Sequence, residues 1–176
     1  MKYSLKKVAL LAEIFGGIAI VLSLIFVGIQ FRKNTIATKS ATANAANAIT
    51  IAWYSETGNS AQSSQLMWDY IKDPKSITSN AEKYQVTILI HGLFLSFQNS
   101  YYLAAEGTLD QNVHESLIAA ISSVRNQPGF HEYWENRKSH FFVEFRDYVT
   151  SILDSDSEVT EGIYENLKDE EEIIPD

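Results

Sequence analysis

The residues best suited to chemistry are four histidines, scattered carboxylates and one polar run, Gln98-Asn99-Ser100-Tyr101-Tyr102. A di-iron helical bundle needs paired Glu-x-x-His motifs. None of His91, His114, His131 or His140 has Glu three residues before it. His131/Glu135 and His140/Glu144 stand four apart and would share a helix face, but such a pair is more often a surface hydrogen bond than a metal site. The serines lack a Gly-x-Ser-x-Gly elbow and a clear His/Asp relay. No glycine-rich phosphate loop and no Gly-x-Gly-x-x-Gly turn is present. Glu132/Glu135 could trade protons, yet on a charge-rich helix they read as a solvated face. With no cysteine in the chain, thiolate nucleophiles, disulfides, iron–sulfur clusters and Cys-type zinc sites are excluded. The expectation is no catalytic residue, no metal and no cofactor.

The polar run interrupts an otherwise apolar helix, and its amides and phenols need partners wherever they are buried. Arg125, Glu144 and Arg146 are candidate partners. Gln98, Asn99, Tyr101 and Tyr102 would line a notch for a ligand or a protein partner if the run is functional. If it is structural, it forms a buried polar network that fixes helix register, and the residues alone favour that reading. Trp53, Trp68 and Trp134, with nine Tyr and nine Phe, supply aromatic packing.

The elements that must position these groups are helical. From Ile29 to Thr57 there is no Pro and no Gly, so an Ala-rich helix should end near Gly58-Asn59. A short helix follows over 61–71, stopped by Asp73-Pro74. Ser79-Asn80-Ala81-Glu82 is a capping-box pattern that opens a long helix to about Glu106. Gly107 suits its stop, and Asp110 caps a helix carrying Val113, Leu117, Ile121 and Val124 on one face. Gln127-Pro128-Gly129 breaks it. A final helical region over 130–153, with a break near Ser139, carries Trp134, Phe141, Phe145, Tyr148 and Ile152 on one stripe. The stretch Val86 to Phe97 has only 12 residues and contains His91, which suits a central bundle helix better than a membrane span.

The N-terminal part reads differently. Of the 18 residues from Ile14 to Phe31, twelve are Ile, Leu, Val or Phe. At roughly −0.3 to −0.6 kcal/mol each near the bilayer centre, these favour insertion by several kcal/mol. Counted from Val8, the run has the length of about 20 residues that a transmembrane helix needs, with Glu13 near one end. Gln30-Phe31-Arg32-Lys33 follows as a stop, and the nearest Ala-x-Ala, Ala41-Thr42-Ala43, lies too far downstream for a cleaved signal peptide. Ala9, Ala12, Gly16, Ala19 and Ser23 draw a stripe of small residues. Of these, Ala12, Gly16, Ala19 and Ser23 form a candidate self-association face. Ala41, Ala45, Ala48 and Ala52 continue a similar stripe.

Charge divides the chain. Six of the 14 Lys and Arg fall in the first 39 residues, while residues 40–176 set eight basic side chains against 21 acidic ones, a formal −13. That surface repels phosphate backbones, so no nucleic-acid partner is expected. Lys2, Lys6 and Lys7 before the apolar run nearly balance Arg32, Lys33 and Lys39 after it, so the positive-inside rule is close to tied. Residues 155–176 are acid-rich and expected to be mobile, with Val159, Ile163 and Leu167 spaced for a short docked helix.

Three blocks carry a resemblance. Gln30-Phe31-Arg32-Lys33-Asn34-Thr35 is similar to a Q-I-R-Q-N-T-like run that ends an apolar anchor. Gln98-Asn99-Ser100-Tyr101-Tyr102 followed by Gly107-Thr108-Leu109-Asp110 is similar to E-N-x-Y-Y…G-x-L-D. Pro128-Gly129, Trp134 and Phe142 to Phe145 are similar to P-G-x-x-x-x-W…F-x-x-E-F. The chain thus resembles a group of bacterial single-pass membrane proteins with a helical C-terminal domain and no assigned activity. The resemblance covers most of residues 10–153. It implies an inner-membrane location and, from the Arg residues that relatives carry after the anchor, a cytoplasmic domain. Lys2, Lys6 and Lys7 depart from that pattern.

The expectation is an all-α chain. It comprises a basic flank (1–7), a transmembrane helix (8–31), an Ala-rich juxtamembrane helix (32–57), a bundle of about four to five helices (60–154) and an acidic flexible tail (155–176). Its expected partners are the lipid bilayer, an unidentified protein and its own copy. Its expected role is non-enzymatic protein–protein interaction or self-association. The alternative is a membrane-tethered sensor that binds a small ligand between bundle helices.

Overall fold

A computed structural model describes residues 5–155. The acidic tail from Asp156 on, with Val159, Ile163 and Leu167, lies outside the described residues, as do residues 1–4 of the basic flank. Among the described residues the chain is all-α. Six α helices run α1 (Leu5–Gly58), α2 (Ala61–Lys72), α3 (Asn80–Ala105), α4 (Gln111–Val124), α5 (Pro128–Arg137) and α6 (Val143–Leu153), with 3₁₀ turns at Pro74–Ser76 and Lys138–His140. The chain falls into two compact units, Met1–Ala41 and Thr42–Asp176. In the first, the described residues belong to α1, a helix long and apolar enough to cross a membrane. Its large apolar side chains, Ile14, Phe15, Leu22, Leu24 and Phe26 among them, are exposed.

In the second unit, local chemistry sets most helix ends. Ser60 Oγ accepts from Ser63 N–H at 3.3 Å, and Ser79 Oγ accepts from Glu82 N–H at 3.5 Å. Asp110 Oδ1 accepts from Asn112 N–H at 3.0 Å, occupying an amide that the first helical turn leaves free. Gly107 ends α3 in the left-handed region at φ 69°, where a Cβ would be strained. Its N–H donates to Ala104 O at 2.9 Å, and Thr108 N–H donates to Leu103 O at 3.0 Å, so the last carbonyls are satisfied. Pro128 opens α5 at a position where its missing N–H costs nothing.

The core centres on α3, which buries Val86, Ile90, Leu93, Phe94, Phe97 and Ser100. Phe94 stacks on Tyr133 (centroids 5.0 Å) and on Trp134 (5.2 Å), and Trp134 stacks on Phe141 at 5.6 Å. Burying each such ring stabilises the fold by roughly 1.5–3 kcal/mol. Trp134 Nε1–H donates to Thr150 Oγ1 at 3.1 Å. The break expected near Ser139 is present. Phe141 and Phe142 adopt extended backbone angles between the 3₁₀ turn and α6, and Phe141 turns into the core, 4% exposed.

The end of α1 packs on this core, but not through the Ala41/Ala45/Ala48/Ala52 stripe, whose four members are exposed. Ala46 and Thr50 are the buried positions. Thr50 Oγ1 lies 3.4 Å from Ser96 Oγ, and Trp53 Nε1–H donates to Leu89 O at 2.6 Å. The aromatic and hydroxyl side chains find hydrogen-bond partners on α3, and alanines offer none.

Helices α2 and α5 approach closely at Gly129. A Cβ built on Gly129 would lie 2.3 Å from Tyr70 O and 2.8 Å from Ile71 Cα. Only glycine fits there, and Pro128-Gly129 acts both as a helix start and as a spacer-free contact.

Candidate functional site

The polar run of α3 does not act as one patch. Successive residues of a helix turn by about 100°, and the run is divided between two sides. Ser100 faces inward and is fully buried, and its Oγ lies 3.0 Å from His114 Nδ1. The other ring nitrogen of His114, Nε2, lies 3.4 Å from the Tyr148 hydroxyl. Tyr101 is half-buried, with its ring 4.9 Å from Tyr148, 5.8 Å from Phe145 and 6.2 Å from His114 between centroids. Gln98 is half-buried too, and its Oε1 accepts from Phe142 N–H at 3.2 Å. It thereby satisfies the amide at the start of α6, a position where Phe142 offers no side-chain cap. Asn99 and Tyr102 are exposed.

The partners are therefore neutral ones, His114, Tyr148 and a backbone amide, and not the charged groups Arg125, Glu144 and Arg146. A charge would need water or a counter-charge in so apolar a junction, whereas an imidazole and a phenol need only hydrogen bonds. Burial holds the His114 pKa below its ordinary 6.5, with Glu115 opposing. The neutral ring donates from one nitrogen and accepts at the other, and the two flanking hydroxyls can supply either role. Ser–His–Tyr is a set that could activate a nucleophile. Here Ser100 has no exposed surface and His114 has 4%, so no substrate atom reaches them. The arrangement pins α3, α4 and α6 in register.

Among the described residues the outer side of α3 is uncovered. Tyr84, Ile88, Leu95 and Tyr102 are exposed by 70%, 50%, 45% and 53%. Their spacing of four, seven and seven residues keeps them on one helix face. No Asp, Glu, Lys or Arg occurs from Tyr84 to Ala105. Asn99 lies beside this stripe. The small residues Ala12, Gly16, Ala19 and Ser23 are likewise exposed, and a Cβ at Gly16 would meet nothing within 4 Å.

Two clefts lie away from the polar run. One, of about 460 Å³, is apolar and lies among Trp53, Leu93, Phe97, Ala120, Val124 and Phe130. The other, of about 470 Å³, is polar and is bounded by Tyr70, Lys75, Lys83, Glu132, Tyr133 and Arg137. Neither is lined by Gln98, Asn99, Tyr101 or Tyr102. Beside the second, Tyr133 OH and His91 Nδ1 are 2.6 Å apart. The His91 pKa is lowered by burial first, then by His140 and Arg137. No spacing signal marks these residues, because they come from separate elements that meet only in the folded chain. Of the two His–Glu pairs, His131 binds the Arg125 carbonyl, Glu135 is held by Lys138 at 2.7 Å, and His140 lies edge-on to His91.

No protein-family model, no curated protein and no solved structure matches the chain. The fold defines a class, an all-α bundle that includes the end of a long apolar helix.

Proposed function

We propose that this chain is a non-enzymatic, single-pass protein of the bacterial inner membrane whose cytoplasmic helical domain binds a second copy of itself. The observation that carries the reading is the bare stripe Tyr84, Ile88, Leu95 and Tyr102 on α3. Exposed apolar surface in a contiguous row marks interaction sites more often than scattered exposed residues do. A second copy suits it on charge. The domain is acidic elsewhere, and this charge-free face is where two copies can meet without repulsion, apolar side chain against apolar side chain in a self-complementary contact. Holding both copies in one membrane raises their effective concentration. The exposed small-residue stripe at Ala12, Gly16, Ala19 and Ser23 would let two α1 helices approach closely.

The absence of native cysteine gives a clean test. A single Leu95→Cys substitution in the full-length protein, oxidised in native membranes, should yield a disulfide-linked dimer. Asn126→Cys, exposed in the α4–α5 turn, should stay monomeric. Equal cross-linking of both, or none from Leu95→Cys, removes the proposal. A reporter fused to the C-terminus tests the orientation separately.

The ligand-sensor reading is favoured by the apolar cleft at Trp53, Phe97 and Phe130. Three of its polar side chains are already engaged, Trp53 with Leu89 O, Thr57 with Trp53 O and Ser123 with Ala120 O, so a ligand there would be small and mainly apolar. Quenching of Trp53 fluorescence by such a compound, lost in Phe97→Trp, would support it.

A further inference from the structure

The polar cleft between α2, α3 and α5 has a make-up that the rest of the domain lacks. Lys75 comes from the 3₁₀ turn, Lys83 from the first turn of α3, and Arg137 from the last turn of α5. Residues 40–176 hold only eight basic side chains, and three of them border this one opening. None of the three forms an ion pair among the described residues, and neither does Glu132 on the same rim. Three cations against a single carboxylate leave an excess of like charge that is unfavourable for the folded chain on its own, so their convergence needs a separate explanation.

The floor supplies a second, independent observation. Tyr70 and Tyr133 line the cleft and are 6% and 1% exposed. The Tyr133 hydroxyl is bonded to His91. The Tyr70 hydroxyl makes no hydrogen bond among the described residues and is not one of the solvent-shielded polar atoms, so it is open to the cleft that Tyr70 lines. It lies within electrostatic range of Glu132, and its pKa is raised to about 12, by burial first and then by that carboxylate. It therefore stays protonated at neutral pH and offers a donor. Thr87 and Asn136 add neutral polar groups along the wall.

From this geometry we infer that the cleft bordered by Tyr70, Lys75, Lys83 and Arg137 binds a phosphate-bearing ligand. Three cations against one carboxylate leave a site of about +2, which matches a phosphate monoester at −1.5 to −2. The cations meet the phosphate oxygens in charge-assisted contacts. The Tyr70 O–H donates to one of those oxygens, and Glu132 accepts from a hydroxyl or ammonium group on the remainder of the ligand. A cleft of about 470 Å³ falls within the range of small-molecule sites and exceeds the needs of a bare ion. A soluble phosphate monoester and the headgroup of an anionic phospholipid share this chemistry.

The test uses full-length protein in maltoside micelles, which carry no phosphate, with glycerol 3-phosphate and inorganic phosphate as probes followed by calorimetry and phosphorus NMR. Saturable binding of glycerol 3-phosphate is expected, tighter than that of inorganic phosphate and weakened by added salt. Tyr70→Phe keeps the ring and removes only the hydroxyl, and it should weaken binding roughly tenfold. Lys75→Gln/Lys83→Gln/Arg137→Gln changes exposed positions only and should weaken it by more than about tenfold. Circular dichroism checks that the variants stay folded. Displacement of the probe by phosphatidylglycerol added to the micelles would assign the site to a lipid headgroup, and its indifference would assign it to a soluble ligand. No saturable binding of either probe or of phosphatidylglycerol, or binding unchanged in the triple variant, overturns the inference.

Discussion

On α3, Phe94 and Ser100 are enclosed by protein, while Leu95 and Tyr102, one and two residues further along the chain, leave about half their surface bare. Inside, each polar group has a neutral partner: Ser100 with His114, His114 with Tyr148, Gln98 with the amide of Phe142. Outside, the row of Tyr84, Ile88, Leu95 and Tyr102 has no charged residue among its members, and among the described residues nothing is packed over it. The inner side explains how the bundle holds together. The outer side contributes little to that and therefore needs another use. Substitutions that separate stability from association test this division.

The largest effect is expected at Gly129, where the inner packing has no slack. Gly129→Ala would gain a few tenths of a kcal/mol up to about 1 kcal/mol in helix propensity. The clash with the Tyr70 carbonyl and Ile71 Cα outweighs that, because the backbones of α2 and α5 must separate. A net loss of about 3 kcal/mol is expected, seen as a fall of roughly 15 °C in the thermal midpoint. A variant melting like the wild type would mean that the two helices are not held this closely. Next comes Ser100→Ala, which leaves a ring nitrogen of buried His114 without its partner. Chemical denaturation should show a loss of about 1–2 kcal/mol. Fluorescence and circular dichroism should report the same transition.

A pH effect follows in size. The folded-state pKa of both His114 and His91 is lowered, chiefly by burial. The unfolded chain therefore takes up protons first as the pH falls. Stability is complete above the ordinary histidine value of about 6.5 and declines as the pH drops below it. Denaturation at pH 7.5 and 5.5 should show that decline, and His91→Gln/His114→Gln should reduce it. A stability that rises on acidification through this window would contradict the assignment. The smallest effect on folding is expected on the outer side. Leu95→Glu should change the unfolding free energy by no more than about 0.5 kcal/mol while weakening association of the full-length protein.

Much of the framework was legible in the sequence because its rules are local. Ser79 and Asp110 cap helices, Gly107 supplies a left-handed stop, and Pro128 starts α5. Each acts within three or four residues of its own position. The Ala-rich helix was legible as a helix, but its packed face was not. The sequence stripe of alanines is exposed, because Thr50 and Trp53 bring hydrogen bonds to α3 that alanine cannot. The polar run was visible as unusual, yet its division into an inner and an outer part depends on which neighbours α3 acquires. His114 is 14 residues from Ser100 and reaches it only after the Gly107 turn folds α4 back. Charged partners were expected where neutral ones sit, since the apolar surroundings of Phe145 and Tyr101 favour groups that need no counter-ion. The Tyr70 cleft was hidden for the same reason. Its members come from separate elements, and Gly129, which sets the approach of two of them, reads in the sequence only as part of a turn.

Light scattering of the purified full-length protein in micelles, corrected for detergent, addresses the association surface most directly. The wild type should have the mass of two chains. Leu95→Glu should have the mass of one chain while unfolding at the wild-type temperature. A wild type that stays monomeric at every accessible concentration, or a Leu95→Glu variant as dimeric as the wild type, would contradict the assignment of α3's outer face.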